Sequence, residues 1–381
     1  MQKKLLCLYA LIILAFILLS VRLTWIVKAD GAAYEKQVLS QQKYDSITLP
    51  FRRGDIVDAK GTKLAVSEKV YNLVIDARVM LDREDYLEPT MEALAANFPD
   101  LDMTAVRQYV TSHPESSWYV PLRRMTYDQI SGFQAAALEN SKIRGVWFEE
   151  EYKRVYPNGS LAADVIGFSR ADNEGQYGLE EYYNDVLNGT TGREYGYLNS
   201  DSNFEKTVIP AQDGSTLVTS IDSNIQSIVE NKIKKFNEAY TDNYKVGDGS
   251  KTTAVVVMNP QTGEILAMAD YPTFNLNKPR DLSDLYTEEE LGKMSDDDQL
   301  DVLNGLWQNY CVTATYEPGS VQKPFTVAAG LETGTINDNM TFLCDGGEQF
   351  DRWVSCVNRN GHGIETVRKA LMDSCNDALM Q

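Results

Sequence analysis

The chain has 381 residues, with 36 basic and 55 acidic side chains, two histidines and a net charge of −19. The length predicts two or three domains, and 43% hydrophobic with 24% charged residues excludes a disordered or fibrous chain. The acidic balance excludes a binder that works by neutralising nucleic-acid phosphates, and two histidines exclude a multi-histidine metal centre, so chemistry falls to Ser, Lys, Cys or carboxylates.

The charge is uneven. The first 28 residues hold Lys3, Lys4, Arg22 and Lys28 and no acid, leaving 32 basic against 55 acidic side chains, a balance of −23. Residues 5–21 contain no charge, and apolar character resumes after Arg22 as far as Val27. At ~1.5 Å per residue that stretch covers about 34 Å, enough for a hydrocarbon core of roughly 30 Å. Lys3 and Lys4 favour a cytoplasmic N-terminus. The expectation is a single-pass membrane anchor over residues 1–28, with the bulk of the chain on the extracellular, periplasmic-side face. A cleaved signal peptide fits less well, because small residues appear only beyond Trp25 and Lys28.

Residues 29–46 read as a polar stalk, residues 47–212 as a mixed α+β region without repeats, and residues 213–381 as a second region. Within the first region, residues 70–80 alternate like a strand, and residues 85–98 and 104–112 have helical spacing. Nothing there has a catalytic pattern. Residues 213–236 predict a strand and then a helix capped by Asp222 or Ser223, with Ile225, Ile228 and Ile233 along one side. Residues 254–258 and 265–269 predict a hairpin around Asn259-Pro260-Gln261-Thr262-Gly263. The acidic stretch 281–301 carries two helix starts, Thr287 with Glu290 and Ser295 with Asp298, and reads as a solvated helical insertion.

Of five cysteines, Cys7 lies in the apolar stretch. Cys344 and Cys356 flank a Gly-rich loop and are either a disulfide partner pair outside the cell or free thiols. With His362 they are too few and too unevenly spaced for a zinc site, and no cofactor or metal is expected.

Ser320 follows a Pro318-Gly319 break and opens an apolar helical run through Phe325, Val327, Ala328 and Leu331. Ser320 and Lys323 then share one face of the first turn. Serine is a weak nucleophile and needs a base within reach. Lysine serves as that base only when desolvation or nearby cations lower its pKa. Ser-x-x-Lys alone is weak evidence, since Ser40-Gln41-Gln42-Lys43 also matches it and reads as a solvated face. A second motif downstream, Ser374-Cys375-Asn376, separates Ser320 from a chance match; standing alone it would equally be a helix cap or buried turn.

Glu317-Pro318-Gly319-Ser320-x-x-Lys323-Pro324-Phe325-Thr326 resembles the active-site helix of the class B penicillin-binding proteins, the monofunctional peptidoglycan D,D-transpeptidases. The resemblance covers almost the whole chain. Arg53-Gly54-Asp55-Ile56-Val57-Asp58, with Gly61, Leu64 and Ala65, is similar to the entry of the family's pedestal domain. Tyr156-Pro157, Ala162, Val165-Ile166-Gly167, Gly178-Leu179-Glu180, Tyr183, Leu187 and Gly189 resemble its later parts. Asn259-Pro260, Thr262-Gly263-Glu264-Ile265 and Ala267-Met268 resemble the first hairpin of the transpeptidase domain, and Gly361-His362-Gly363 resembles the lead into its second motif.

The resemblance implies an α+β multidomain chain. It comprises an anchor (1–28), a stalk (29–46), a dimerisation-type pedestal (47–212) and the N-terminal part of a serine β-lactamase-like transpeptidase domain (213–381). It implies Ser320 as acylated nucleophile, Lys323 as general base, Ser374 as proton relay, and Asn376 as the group that binds the substrate amide or orients Lys323. The implied partners are peptidoglycan stem peptides, lipid-linked or in nascent glycan, β-lactams, the membrane, a glycosyltransferase and other division or elongation membrane proteins. Nucleic acid is not among them.

Two departures stand out. Val321-Gln322 replace the family's usual Thr-Phe, and the third motif, Lys-Thr/Ser-Gly, is absent from these 381 residues. Glu332-Thr333-Gly334 and Lys251-Thr252-Thr253 do not supply it. The expectation is therefore a C-terminally incomplete transpeptidase sequence, and the alternative is a noncatalytic, truncated membrane scaffold. A serine β-lactamase or β-lactam sensor shares Ser-x-x-Lys but does not explain the long preceding region.

Overall fold

A computed structural model describes residues 13, 16–22, 24–25, 46–198, 204–243 and 245–381. Residues 29–45 of the stalk, including Ser40 and Lys43, lie outside the described residues, as does much of the expected anchor. Residues 16–22 are helical and exposed. Among the described residues no helix is long and apolar enough to cross a membrane. The chain forms two compact units, Met1–Val312 and Thr313–Gln381.

In the first unit the central element is the strand Lys63–Ile75. It pairs antiparallel with Val146–Val155 from Val66 to Ile75 and with Tyr119–Met125 near its end. Ile56–Val57 joins its start, and Leu217–Val218 adds in parallel to Ile56–Val57, giving a five-stranded sheet. The strand starts earlier than its alternation indicates and stops at Ile75, because the Asp76 carboxylate accepts the Val79 N–H and caps the helix Ala77–Leu81. That cap satisfies an N–H which the first helical turn would otherwise leave unpaired.

The two expected helices are present as Leu87–Asn97 and Met103–Ser112, the second capped by Asp102. With the helix Tyr127–Glu139 they cover one end of the sheet, burying Leu94, Val106, Val110, Ile130 and Phe133 against Leu73 and Ile75. A separate antiparallel sheet places Ser46–Leu49 beside Gly192–Leu198 and that strand beside Phe204–Ile209.

The distant Arg53, Arg154, Tyr156 and Glu180 meet inside this unit. Arg53 Nε donates to Glu180 Oε2 at 2.7 Å, Arg154 Nε to Oε1 at 2.7 Å and the Tyr156 hydroxyl to Oε1 at 3.3 Å. Arg53 Nη1 also donates to Asn173 O, Asn184 Oδ1 and Asn188 Oδ1. A buried guanidinium is tolerated only when paired and hydrogen-bonded in this way. Close backbone approach matters at Gly54, where an added Cβ would lie 1.9 Å from the Ser215 carbonyl oxygen.

The helix Ser223–Ala239 is capped by Asp222, as its sequence indicates. Its buried face differs from the isoleucine row: Ile233 is buried, but Ile228 is exposed and Gln226 is fully buried. The Gln226 amide pairs with Met268, donating to its carbonyl and accepting its N–H, both at 2.8 Å, and so docks the helix on the hairpin edge. The hairpin itself joins Thr253–Met258 and Ile265–Tyr271.

Both acidic capping boxes form, at Thr287 with Glu290 and Ser295 with Asp298. The stretch 281–301 is not solvated throughout, because Leu282 enters the core, and just beyond it Leu303, Leu306 and Trp307 do so too, with Tyr156, Phe168 and Leu187. Burying these large apolar groups outweighs the solvation of one acidic face.

The second unit contains a short 3₁₀ turn, Gly319–Gln322, and the helix Lys323–Glu332. Two small antiparallel pairs follow: Thr341–Cys344 with Gly363–Thr366, and Gly347–Gln349 with Trp353–Ser355. The helices Val367–Met372 and Asn376–Met380 close it. Its buried cluster consists of Cys344, Cys356, Cys375, Ala370 and Ala378.

Candidate active site

Gly319 takes a left-handed φ of +58°, a conformation that costs glycine little, and turns the chain after Pro318. Ser320 follows in the 3₁₀ turn and is exposed. Lys323 begins the α-helix, with Pro324 in the first turn where a missing N–H costs little. Of the expected apolar run, Val327 is buried, whereas Phe325 and Leu331 are exposed.

Lys323 and the second motif come together. Lys323 Nζ donates to Ser374 O at 2.5 Å, Ser374 Oγ at 3.1 Å and Asn376 Oδ1 at 2.7 Å. None of these three bonds involves Ser320, which is exposed in the turn before the helix. Burial lowers the Lys323 pKa, and the nearby Cys375 and Cys356 oppose that shift. Removal from water disfavours the charged amine, the direction a general base requires.

Local structure explains why the motif presents two groups at once. Ser374 adopts a left-handed φ of +50° after the helix Val367–Met372. Such a φ is costly for a residue with a Cβ and persists only where neighbours enforce it. Cys375 then caps the helix Asn376–Met380, its Sγ accepting the Ala378 N–H. Asn376 is oriented by its own Nδ2, which donates to Ser355 O at 3.0 Å. Buried Asp377 Oδ2 accepts the N–H groups of Asp345, Gly346 and Gly347 at 2.9–3.3 Å, tying the same helix to the loop after Cys344.

Cys344 and Cys356 are free thiols, as are Cys311 and Cys375. The sequence-level exclusion of a metal-ligand set needs correction. Cys375, read there only as the middle of the second motif, joins Cys344, Cys356 and His362, and their ligand atoms lie within 4.8 Å of one another. The signal was hidden because the fourth member stands 19 positions beyond Cys356, brought back by a strand and a helix. Burial opposes ionisation of Cys356, but N–H groups of Asn358 and Asn376 and the neighbouring thiols bring it down to about 7. Burial pushes Cys375 up.

Two family models match the chain. One, the penicillin-binding protein dimerisation domain, covers residues 48–219, and the other, the penicillin binding protein transpeptidase domain, covers residues 253–381. The chain belongs to the penicillin-binding proteins. It is 28% identical over its whole length to the Stage V sporulation protein D of Bacillus subtilis, covering 54% of that protein. It is 30% identical over 76% of its length to the probable peptidoglycan D,D-transpeptidase FtsI of Caulobacter vibrioides, covering 39% of it.

Among solved structures, penicillin-binding protein 2X of Streptococcus thermophilus aligns with a TM-score of 0.65 at 22% identity, over 88% of this chain and 49% of that one. A complex between a penicillin-binding protein and MreC from Helicobacter pylori aligns with a TM-score of 0.60 at 21% identity, over 87% and 60%. These likenesses establish the mixed α+β fold of a penicillin-binding protein. The chain spans about half the length of the curated relatives it matches.

Proposed function

We propose that this penicillin-binding protein contributes the nucleophile side of a peptidoglycan D,D-transpeptidase active site. The observation that carries this reading is the clamp of Ser374 and Asn376 on Lys323, one helical turn from Ser320. In the proposed reaction Ser320 Oγ attacks the carbonyl carbon of the penultimate D-Ala of a stem peptide, and its proton passes to neutral Lys323 Nζ. The tetrahedral intermediate collapses with cleavage of the C–N bond, and terminal D-Ala leaves as an amine carrying a proton relayed through Ser374. An amine of a neighbouring stem peptide then attacks the Ser320 ester, forming the cross-link and returning the proton to the serine. The Ser320 N–H, at the start of a helical segment, serves as one oxyanion donor.

The reading includes a membrane anchor within residues 1–28 and an external catalytic domain, supported by the charge-free stretch 5–21 and its basic flanks. β-Lactams acylate Ser320 as substrate mimics, and the partners are a glycosyltransferase and other wall-synthesis membrane proteins. The domains run as residues 47–212 for the pedestal and from residue 213 for the transpeptidase.

The test is D-Ala release from a peptide ending in D-Ala-D-Ala by the protein as its gene encodes it. Release that is lost in Ser320→Ala and Lys323→Ala supports the assignment. Equal release by wild type and Ser320→Ala overturns it. Absence of release from wild type favours the noncatalytic scaffold.

A further inference from the structure

We propose that Cys344, Cys356, His362 and Cys375 form a tetrahedral zinc site that fastens the second catalytic motif to the loop opposite it. The distances already suit the ion. Cys344 Sγ and Cys356 Sγ each lie 3.5 Å from His362 Nδ1, and Cys356 Sγ lies 3.7 Å from Cys375 Sγ. A tetrahedral zinc with Zn–S of ~2.3 Å and Zn–N of ~2.0–2.1 Å places sulfurs about 3.8 Å apart and each sulfur about 3.5 Å from the nitrogen. Three sulfurs and one imidazole nitrogen are also the donor set that selects zinc over calcium or magnesium.

Three further features point to a cation. The Cys375 sulfur is held in place by a backbone donor, the Ala378 N–H at 3.4 Å, with the Cys356 sulfur 3.7 Å away. Glu365 is fully buried, its Oε2 has no hydrogen-bond partner among the described residues, and that oxygen lies 3.8 Å from His362 Nδ1. The other oxygen of Glu365 faces Lys369 Nζ at 3.5 Å, so Oε2 is left as a lone acceptor beside the cluster, and a buried polar atom without a partner is costly. Finally, the buried cluster here is three cysteines and two alanines, which bury little apolar area for a packed core.

Binding consists of coordination by three thiolates and neutral imidazole, with the thiol protons released to solvent. Because Cys375 stands between Ser374 and Asn376, the metal fixes the turn that presents both to Lys323. The metal assignment itself does not depend on the proposed acyl transfer.

The 381-residue chain, purified in detergent under reducing conditions without chelator, should retain about one zinc after desalting. Cys356→Ser and Cys375→Ser should lose it, and Glu365→Gln, which keeps every ligand, should retain it. Should the cysteine variants fail to fold, Co²⁺ added to the wild-type apoprotein decides. Intense visible bands of tetrahedral thiolate coordination support the site, and a weak octahedral spectrum overturns it. Failure of the reduced chain to bind zinc, full zinc content in Cys375→Ser, or an intact mass showing a stable disulfide that zinc and reductant together do not displace would each overturn it. D-Ala release is read separately, so loss of one property leaves the other interpretable.

Discussion

Glu180 holds the two buried guanidiniums of the first unit together, and replacing it tests whether that unit depends on one carboxylate. Arg53 and Glu180 have 0% side-chain exposure and Arg154 has 4%. In Glu180→Ala, Arg53 keeps Asn173, Asn184, Asn188 and the Glu180 carbonyl as acceptors, while Arg154 keeps only Gly54 O and Ser67 Oγ. Two buried positive charges then face each other without a counter-charge. Breaking one buried pair costs about 3–5 kcal/mol, and a carboxylate shared by two partners places this loss near 5 kcal/mol.

At ~2–4 °C per kcal/mol, the unfolding midpoint should fall by about 10–20 °C. The comparison is Glu150→Ala, which removes an equally short pair with Lys69, 2.8 Å, whose members are 42% and 47% exposed. That change should cost no more than about 1 kcal/mol. Scanning calorimetry on the two variants reads both. A Glu180→Ala midpoint within about 4 °C of wild type would refute the reasoning, because burial would then not separate the two pairs.

Two other outcomes follow from specific contacts. Asp164 is buried against Asp270, and the Oδ1 of each has no hydrogen-bond partner among the described residues. Burial, then Asp270, raises the Asp164 pKa well above its ordinary 3.8, so the folded state holds a proton that the unfolded state releases. This contribution is complete below pH ~4 and is lost as pH rises through the folded value. Asp164→Asn should therefore melt higher than wild type at pH 8 and flatten the pH dependence; an unchanged slope in a calorimetric pH series would contradict this. Asn376→Ala removes one of three acceptors on Lys323. That bond becomes charge-assisted as Lys323 takes the Ser320 proton, and losing about 1.5–3 kcal/mol there predicts a ~10–150-fold slower penicillin acylation of the gene-encoded protein; stopped-flow rates equal to wild type would count against the clamp.

What was legible in the sequence was what depends on near neighbours. Thr287 with Glu290, Ser295 with Asp298 and Asp222 all cap as their spacing indicates, since a cap needs only three or four consecutive residues. The pairing of Lys323 with Ser374 and Asn376 was legible only through family resemblance, because 51 and 53 positions separate them. Gln226 was missed because a polar side chain satisfied on both amide atoms behaves as core, and composition cannot show its partner Met268. The same limit hid Cys375, which a strand and a helix, rather than its motif, bring back beside Cys356.

The central claim is that Ser320 is the nucleophile. Membranes of the cell that makes this protein, labelled with fluorescent penicillin and digested for mass mapping, test it most directly. The account predicts one penicilloyl group, on the peptide carrying Ser320, absent from Ser320→Ala. A penicilloyl group on another residue, or labelling of undiminished strength in Ser320→Ala, would contradict it.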